Sequence, residues 1–290
     1  MPVQPDAFFL PVESGHDSQR FCLYYPAAGG TVQGLVLHVH PFAEELNKSR
    51  RMAALQARAL ANAGYAVLQI DLLGCGDSSG DFGDATWQAW VNDVVLGAQW
   101  LRQRNAASNT GLSPPPLWLW GLRAGCLVAA QAARQMIEPC NFLFWQPPSG
   151  GKQLLQQFLR LKVAGDMLGG QSKGVMDAMR QDLAVGRSVE VAGYMLSPGL
   201  TSGLESADLA PIAGVKVTRR VEWLEVSTRE DAALSPASVK TLAQWQESGF
   251  RVASHIAHGP AFWQTTEIED APALIEATIA AIRTPIGAEA

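Results

Sequence analysis

Short apolar runs alternate along this chain with longer segments in which apolar residues recur at helical spacing. Seven runs predict strands: 20–25, 35–40, 66–70, 117–120, 141–145, 221–226 and 251–256. The middle runs are apolar almost throughout, as expected of strands that are buried on both faces. The alternation predicts an α/β fold with a mostly parallel central sheet and helices on both faces.

Helical segments fill the gaps between the predicted strands. Helices are expected at 49–61, with Ser49 as the N-cap, and at 87–102, 124–136 and 272–282. The stretch 150–214 breaks the alternation and contains two further predicted helices, at 153–163 and 175–183. We interpret it as a cap inserted between two strands, rather than as an irregular excursion, because loops of this length are usually functional. The predicted domains are thus a core, 1–149 and 215–290, and a cap, 150–214.

Composition excludes several classes of protein. Hydrophobic residues make up 48% of the 290 residues and charged residues 17%, so extensive disorder is excluded. The net charge of -5, without a basic stripe, argues against a nucleic-acid partner. No apolar run reaches the ~18 residues of a transmembrane segment, and the N-terminus does not resemble a secretory signal. We expect a cytoplasmic protein whose four scattered cysteines are reduced.

No cofactor is predicted. Histidine, cysteine and aspartate form no cluster with metal-ligand spacing, so no metal site is expected. A glycine-rich phosphate loop of the nucleotide-binding kind is also missing from the sequence. The expected partner is a small-molecule substrate or an anionic ligand, and a homo-oligomer is left open.

The most informative motif is Gly121-Leu-Arg-Ala-Gly125, which joins a buried strand to a small, apolar helix. This arrangement resembles the nucleophile elbow of the α/β-hydrolase fold, in which a tight turn lifts one side chain above the sheet. That fold places serine at the central position, whereas this chain has Arg123. Leu122 and Ala124 flank Arg123 and complete the predicted elbow part of the site.

Arginine at the elbow changes the chemistry. A guanidinium stays protonated and cannot act as a nucleophile. Three interpretations remain open: Arg123 binds a carboxylate or phosphate of a ligand, it pairs with a nearby carboxylate of the chain, or the site is inactive. Cys126, Ser78, Ser79 and Ser149 are the other nucleophiles near the motifs, and none has an evident base beside it.

The loop after the strand 35–40 faces the elbow in this fold. It normally supplies one N–H of an oxyanion hole, and because Pro41 has none, Phe42 or Ala43 would have to serve. Glu44 and Glu45 follow. They form an ion pair with the elbow arginine, or they are solvated residues at the start of a helix, where negative charge is favoured.

The resemblance to this fold implies further site residues. Its catalytic acid follows the strand predicted at 221–226, where Asp231 fits best and Glu225 and Glu230 are rivals. Its catalytic histidine follows the last strand, where His258 lies. His255 falls within that strand, and we expect it to be structural. The chain order elbow, acid, histidine agrees with the fold.

Several phrases resemble a narrower family. They start at Pro41, Asp71, Leu119, Trp145 and Gly259: PFAEELNKSRRM, DLLGCGDSSG, LWGLRAG, WQPPSGGK and GPAFWQTTEI. Together they are similar to the second family of exosortase A system-associated hydrolases, over nearly the whole chain. The resemblance implies a bacterial cytoplasmic protein encoded near genes for exosortase sorting and exopolysaccharide production. It implies neither a substrate nor turnover.

Three functions remain open at this point. The first is an ester or thioester hydrolase in which Asp231 and His258 activate water and Arg123 holds an anionic group. The second is a non-catalytic pseudo-hydrolase that binds an anionic ligand or a protein partner through an Arg123 pocket. The third is an interaction protein that docks a partner through a tryptophan-rich surface, since the chain has nine tryptophans.

Overall fold

The computed structural model describes residues 3–12, 18–106, 114–168, 174–212 and 219–284. Its strands are β1 (Asp6–Pro11), β2 (Gln19–Tyr25), β3 (Gly34–Val39), β4 (Tyr65–Ile70), β5 (Leu117–Leu122), β6 (Cys140–Trp145), β7 (Val189–Val191), β8 (Tyr194–Leu196), β9 (Arg219–Ser227) and β10 (Phe250–His258). Its α-helices are α1 (Glu44–Asn62), α2 (Trp87–Ala106), α3 (Ala124–Ala133), α4 (Gly151–Leu168), α5 (Val175–Ala184), α6 (Pro198–Ser206), α7 (Pro236–Glu247) and α8 (Pro272–Arg283).

Eight of these strands form one sheet in the order β1-β2-β4-β3-β5-β6-β9-β10. Strand β2 runs antiparallel to both of its neighbours, and the other ladders are parallel. A hydrophobic core lies on each face, one centred on side chains such as Leu37 and Trp90 and the other on Val36 and Trp120. The predicted α/β class, with a mostly parallel sheet between helices, is confirmed.

The start of α1 was predicted wrongly. The helix begins at Glu44, so Ser49 is not its N-cap but a buried residue inside it, and its hydroxyl donates to the Leu46 carbonyl at 3.2 Å. Two acidic residues in the first turn are favoured by the helix dipole, which explains the earlier start. The sequence analysis also missed β1 and the β7–β8 hairpin, whose two strands have only three residues each.

The tryptophans belong to the interior. Eight of the nine are buried, and the ninth, Trp100, is half-buried and stacks on Phe8 at a ring-centroid distance of 4.5 Å. The proposal of a tryptophan-rich docking surface is therefore wrong. All four cysteines are buried and free. Among the residues that the structure describes, no helix is both long enough and apolar enough to cross a membrane.

Candidate ligand-binding site

Arg123 stands on a strained turn between β5 and α3. Its backbone angles, φ 53° and ψ -119°, lie in a region that residues other than glycine rarely adopt. The two flanking glycines make the turn possible, because a Cβ on Gly121 would lie 2.6 Å from the Cys126 backbone. A Cβ on Gly125 would lie 2.1 Å from the Val39 carbonyl oxygen. The spacing of the motif thus follows from close backbone contact on both sides of Arg123.

A second turn of the same conformation faces the first. Ala43 lies between β3 and α1 with φ 50° and ψ -126°. Because β3 and β5 are adjacent and parallel, both strained residues lie at the carboxyl edge of the sheet. In the part of the chain that the structure describes, no hydrogen bond uses the N–H of Ala43 or Ala124. Both groups stand at helix N-termini, which favour negative charge.

The Arg123 side chain is held from two directions. Its Nε donates to Glu45 Oε1 at 3.2 Å, and the two side chains are 15% and 22% exposed. Its Cζ lies 5.8 Å from the centroid of the Trp263 ring, within the range of a cation–π contact. Within the described ranges, Nη1 and Nη2 of Arg123 make no hydrogen bond. The outer fork of the guanidinium is therefore free.

Glu45 and Glu44 have different roles. Burial raises the pKa of Glu45 and the Arg123 guanidinium opposes this, while Glu45 Oε2 is buried without a partner in the described structure. Glu44 instead accepts from the Tyr194 hydroxyl at 3.0 Å and from Asn47 at 3.2 Å. Burial, followed by the contact with Glu44, raises the pKa of Tyr194 to about 12. Of the two glutamates, Glu45 is thus the ion-pair partner.

A cavity of about 280 Å³ opens beside this ion pair. Helix α4 forms one wall, and the loop after β10 forms another. Its apolar lining consists of Phe42, Leu154, Phe158, Leu161 and Trp263, and its polar lining of Glu44, Glu45, Lys48, Arg123, Gln157 and Gln264. No serine, threonine or cysteine is among these lining residues. As far as its described lining goes, the cavity therefore combines apolar walls with one guanidinium and has no hydroxyl or thiol nucleophile.

Two contacts hold the loop after β10 against α1. Lys48 donates to the Thr266 carbonyl at 2.8 Å, and Arg51 forms a bidentate pair with Asp270 at 2.8 to 3.1 Å. The pair is exposed, so it orients the loop more than it stabilises the fold. These contacts place Trp263 over the elbow.

The contacts described for Asp231 and His258 do not include Arg123. The Asp231 side chain is 81% exposed and pairs with Arg229 at 3.3 Å. His258 ends β10, is exposed, and lies opposite Ser227 in the ladder. No hydrogen bond or ion pair joins Asp231 to His258 among the described residues, and neither lines the cavity. Their catalytic role therefore stays a prediction.

The other candidate acids and histidine have structural contacts or lie in solvent. Glu225 accepts from the Trp223 indole at 2.8 Å and from the Ser238 hydroxyl at 2.6 Å. Glu230 is exposed. His255 Nε2 lies 3.1 Å from the buried Glu222 carboxylate. His255 thus has the structural place expected for it within its strand.

The remaining nucleophile candidates are occupied elsewhere. Cys126 is buried under the elbow, which raises its pKa, and its thiol donates to the Trp145 carbonyl at 3.6 Å. The Ser78 hydroxyl donates to the Asp71 carbonyl at 2.5 Å. Ser79 accepts from the Gln19 N–H, and Ser149 donates to Gln153. None of the four lines the cavity.

Among the predicted site residues, four line the cavity: Phe42, Glu44, Glu45 and Arg123. Ala43 and Ala124 are buried in the two turns and do not line the cavity, and Leu122 is buried in β5 below the elbow. Sequence reasoning missed Trp263, Lys48 and the wall formed by α4. The i, i+4, i+7 spacing of Leu154, Phe158 and Leu161 signalled an apolar helix face, but not what it covers.

Residues 20–113 match the family described as X-Pro dipeptidyl-peptidase (S15 family). Human Protein ABHD12B is 25% identical over 194 residues, which are 65% of this chain and 50% of that protein. Uncharacterized protein RP471 of Rickettsia prowazekii (strain Madrid E) is 31% identical over 114 residues, which are 39% of this chain and 44% of that protein. The chain thus spans about half the length of the curated relatives it matches.

Two solved structures resemble almost the whole chain. Est1E from Butyrivibrio proteoclasticus with ferulic acid bound superposes with a TM-score of 0.63 at 15% identity, covering 95% of this chain and 98% of that one. A carboxyl esterase from Bacillus coagulans in complex with glycerol superposes with a TM-score of 0.60 at 14% identity, covering 96% and 98%. At these identities the similarity concerns the fold.

Proposed function

We propose that this chain, which has the α/β-hydrolase fold, binds the anionic end of an amphipathic small molecule at Arg123. The observation that carries the proposal is the free outer fork of this guanidinium inside an apolar-walled cavity. A guanidinium fork matches the two oxygens of a carboxylate or phosphate. Glu45 fixes the orientation of Arg123 through Nε and leaves Nη1 and Nη2 to the ligand.

The surroundings favour a small monoanion. Arg123 and Lys48 carry positive charge at the cavity and Glu44 and Glu45 carry negative charge, so no excess of positive charge is present to balance a dianion. The volume of about 280 Å³ is at the lower limit of ligand pockets, which is roughly 300 Å³. A carboxylate with a short apolar chain or a single ring fits these limits better than a phospholipid headgroup.

Calorimetric titration with decanoate, methyl decanoate and octyl phosphate tests the proposal. We expect decanoate to bind at least tenfold more tightly than its methyl ester, because a charged hydrogen-bonded contact is worth about 1.5–3 kcal/mol. Arg123→Gln and Arg123→Lys should both weaken decanoate binding, since neither provides the fork, whereas Arg229→Gln, at an exposed pair, should not. Equal affinity for acid and ester, or no binding of either, would refute the proposal.

The segment 150–214 acts in this proposal as the cap of the binding site. Phe158 on α4 meets Phe42 at a ring-centroid distance of 5.0 Å, and Tyr194 on β8 binds Glu44 at the cavity. Residues 169–173, 213 and 214 of this segment lie outside the described residues. Tyr194→Phe should speed ligand dissociation in stopped-flow measurements, because it removes the tie between the cap and the start of α1. An unchanged dissociation rate would speak against this role.

Hydrolysis of an ester or thioester is the second candidate function. The unpaired N–H groups of Ala43 and Ala124 favour it, because this fold places its oxyanion hole there. His258 would act as general base on water, with Asp231 as its acid partner. Activity against short and long acyl esters and thioesters that falls about 10²–10⁴-fold in His258→Ala would support this candidate. Labelling of Ser78 or Ser149 by a covalent serine probe would show a serine nucleophile and would contradict the water mechanism assigned to His258.

The family resemblance adds a biological setting to the proposal. Similarity to the exosortase A system-associated hydrolases supports a cytoplasmic bacterial protein that serves protein sorting or exopolysaccharide production. Deletion of the gene, complemented by wild type or by Arg123→Gln, tests this. We expect a defect in exopolysaccharide or in sorting that only the wild-type gene repairs, and an unaffected deletion strain would refute the link.

A further inference from the structure

Strand β10 lies at one end of the central sheet, and its outer edge is unpaired in the part of the chain that the structure describes. It pairs with β9 over nine residues, from Phe250 to His258. Among the described residues no other strand pairs with it. A strand of nine residues is long for a sheet edge, since strands average 5–6 residues, and it contains no proline that would block pairing.

The ladder shows which backbone groups face outward. The Gly259 N–H donates to the Ser227 carbonyl at 3.0 Å, so residue 259 directs its N–H toward β9. The direction of the backbone N–H and C=O groups alternates along a strand. The odd-numbered residues of β10 therefore direct these groups toward β9, and the even-numbered residues direct them away from it. Val252, Ser254 and Ile256 therefore present their N–H and C=O groups at the free edge.

The residues on either side of Ser254 would suit pairing of this edge with the same edge of a second copy. In an antiparallel pair of two identical strands centred on Ser254, each Ser254 lies opposite its own copy. Val252 then lies opposite Ile256, which is 37% exposed, so an apolar pair forms on each side of the centre. Arg251 lies opposite Ala257, so its positive charge faces a neutral residue and no like charges oppose each other.

We propose that a second copy of this chain docks on the β10 edge by antiparallel pairing centred on Ser254, which joins the two eight-stranded sheets into one. The occupant is a second copy because the register supplies apolar partners and avoids like charges on both sides of a two-fold axis. A long unpaired edge can pair with other chains and cause aggregation. Pairing with one second copy about a two-fold axis covers the edge and so prevents this. The dimer requires no ligand in the Arg123 cavity and does not rest on the proposed function.

Light scattering coupled to size exclusion tests the dimer with the full chain. Wild type and Ser254→Ala should be dimers, because both keep the outward N–H. Ser254→Pro should be monomeric yet folded, because proline is tolerated at an edge where the N–H faces solvent. Ile256→Lys should also be monomeric, because it replaces the apolar contact with Val252 of the second copy by a charge and leaves the backbone N–H groups unchanged. Monomeric wild type, or dimers that persist in both Ser254→Pro and Ile256→Lys, would overturn the proposal.

A cysteine at the centre tests the register. Opposite residues in a hydrogen-bonded antiparallel pair have Cα atoms about 5.5 Å apart, within the roughly 4.4–6.8 Å that a disulfide spans. The native cysteines are all buried, so Ser254→Cys should form a covalent dimer on mild oxidation. Ser202→Cys, on the exposed face of α6, should not. Equal cross-linking of both variants, or none at position 254, would overturn the register.

Discussion

At the scale of single residues, Arg123 combines a strained backbone with a partly buried charge. Residues in such conformations persist only where the surroundings determine them, at about 1–3 kcal/mol each. Here Gly121 and Gly125 bring neighbouring backbone into contact, and Glu45 holds the guanidinium. The same turn that positions a serine in other members of this fold therefore positions a cation.

Removing Arg123 should expose how much Glu45 depends on it. Arg123→Ala leaves a mostly buried carboxylate without its partner, so we expect a loss of about 1–3 kcal/mol in the free energy of unfolding at pH 7. The loss should be smaller at pH 4 than at pH 7, because burial raises the pKa of Glu45 and so favours its neutral form in acid. Urea denaturation of Arg123→Ala and of Arg123→Ala/Glu45→Gln checks this, and the double variant should recover most of the loss.

Arg229→Ala is the matched control for this series, because the Arg229–Asp231 pair is exposed. It should change the stability little at either pH. An equal loss in Arg229→Ala and Arg123→Ala would contradict the contribution assigned to the Arg123–Glu45 pair.

His38 should make the protein sensitive to acid. Burial lowers its pKa from 6.5 to about 3. Below pH 6.5 the unfolded chain binds a proton that the folded chain does not, so this contribution is present above that pH and is lost as the pH falls toward 3. At about 1.4 kcal/mol per pH unit, the loss from His38 reaches about 2 kcal/mol at pH 5.

His38→Phe tests this prediction and keeps the ring contact with Trp120, whose centroid lies 4.3 Å from that of His38. Urea unfolding at pH 7 and pH 5 should show a smaller acid-induced loss in His38→Phe than in wild type. His258→Gln, at an exposed histidine, should behave as wild type. Parallel pH dependences of wild type and His38→Phe would contradict the prediction.

At the scale of elements, the site is built where neighbouring strands end. Strands β3, β5 and β6 are adjacent, and each is followed by a residue other than glycine with positive φ: Ala43, Arg123 and Gln146. The turns after β3 and β5 start helices whose first N–H groups point at the same edge. Helix α4 then closes the space above them.

The position of α4 depends on a close contact at its first residue. A Cβ on Gly151 would lie 1.8 Å from the Leu204 carbonyl oxygen of α6, whereas a Cβ on Gly150 would meet nothing nearer than 3.7 Å. Gly151→Ala should therefore destabilise the protein by about 1–3 kcal/mol and weaken ligand binding, because α4 must shift. Gly150→Ala, its neighbour, should change neither. Thermal unfolding and decanoate titration check the pair, and equal effects of both substitutions would refute the packing argument.

At the scale of the whole molecule, a buried polar cluster ties the last helix to the sheet. Arg220 on β9 donates to Glu222 at 2.5 Å and to the carbonyls of Ala281 and Thr284 at 2.8 and 2.7 Å. Its guanidinium also lies 4.9 Å from the Trp118 ring centroid. One side chain thus joins β9, β5 and the end of α8.

Arg220→Ala should destabilise the entire fold. It leaves buried carbonyls and the Glu222 carboxylate without their donor, which costs about 3–5 kcal/mol for a buried pair. Differential scanning calorimetry should show one cooperative transition at a lower temperature. Arg187→Ala removes an exposed pair with Asp182 and should leave the transition in place. A separate early transition of α8 would contradict the coupling.

The alternation of the core strands with helices and the tight turn around Arg123 could be predicted from the sequence alone, because each is encoded in contiguous residues, and the alternation in turn predicts a mostly parallel sheet. The spacing of apolar positions predicts whether a segment is a strand or a helix. The glycines at 121 and 125 predict a turn that has no room for Cβ atoms. The solved structures and the strand order confirm the α/β-hydrolase fold expected from them.

Only the tertiary structure decided what surrounds the guanidinium. Glu45 is 78 residues away in sequence, and which of two adjacent glutamates faces Arg123 depends on the direction in which α1 leaves β3. Trp263 reaches the elbow because Lys48 and Arg51 hold its loop. Asp231 lies in solvent although its place in chain order suits a catalytic acid, because chain order specifies which strand a loop follows and not where its side chains point.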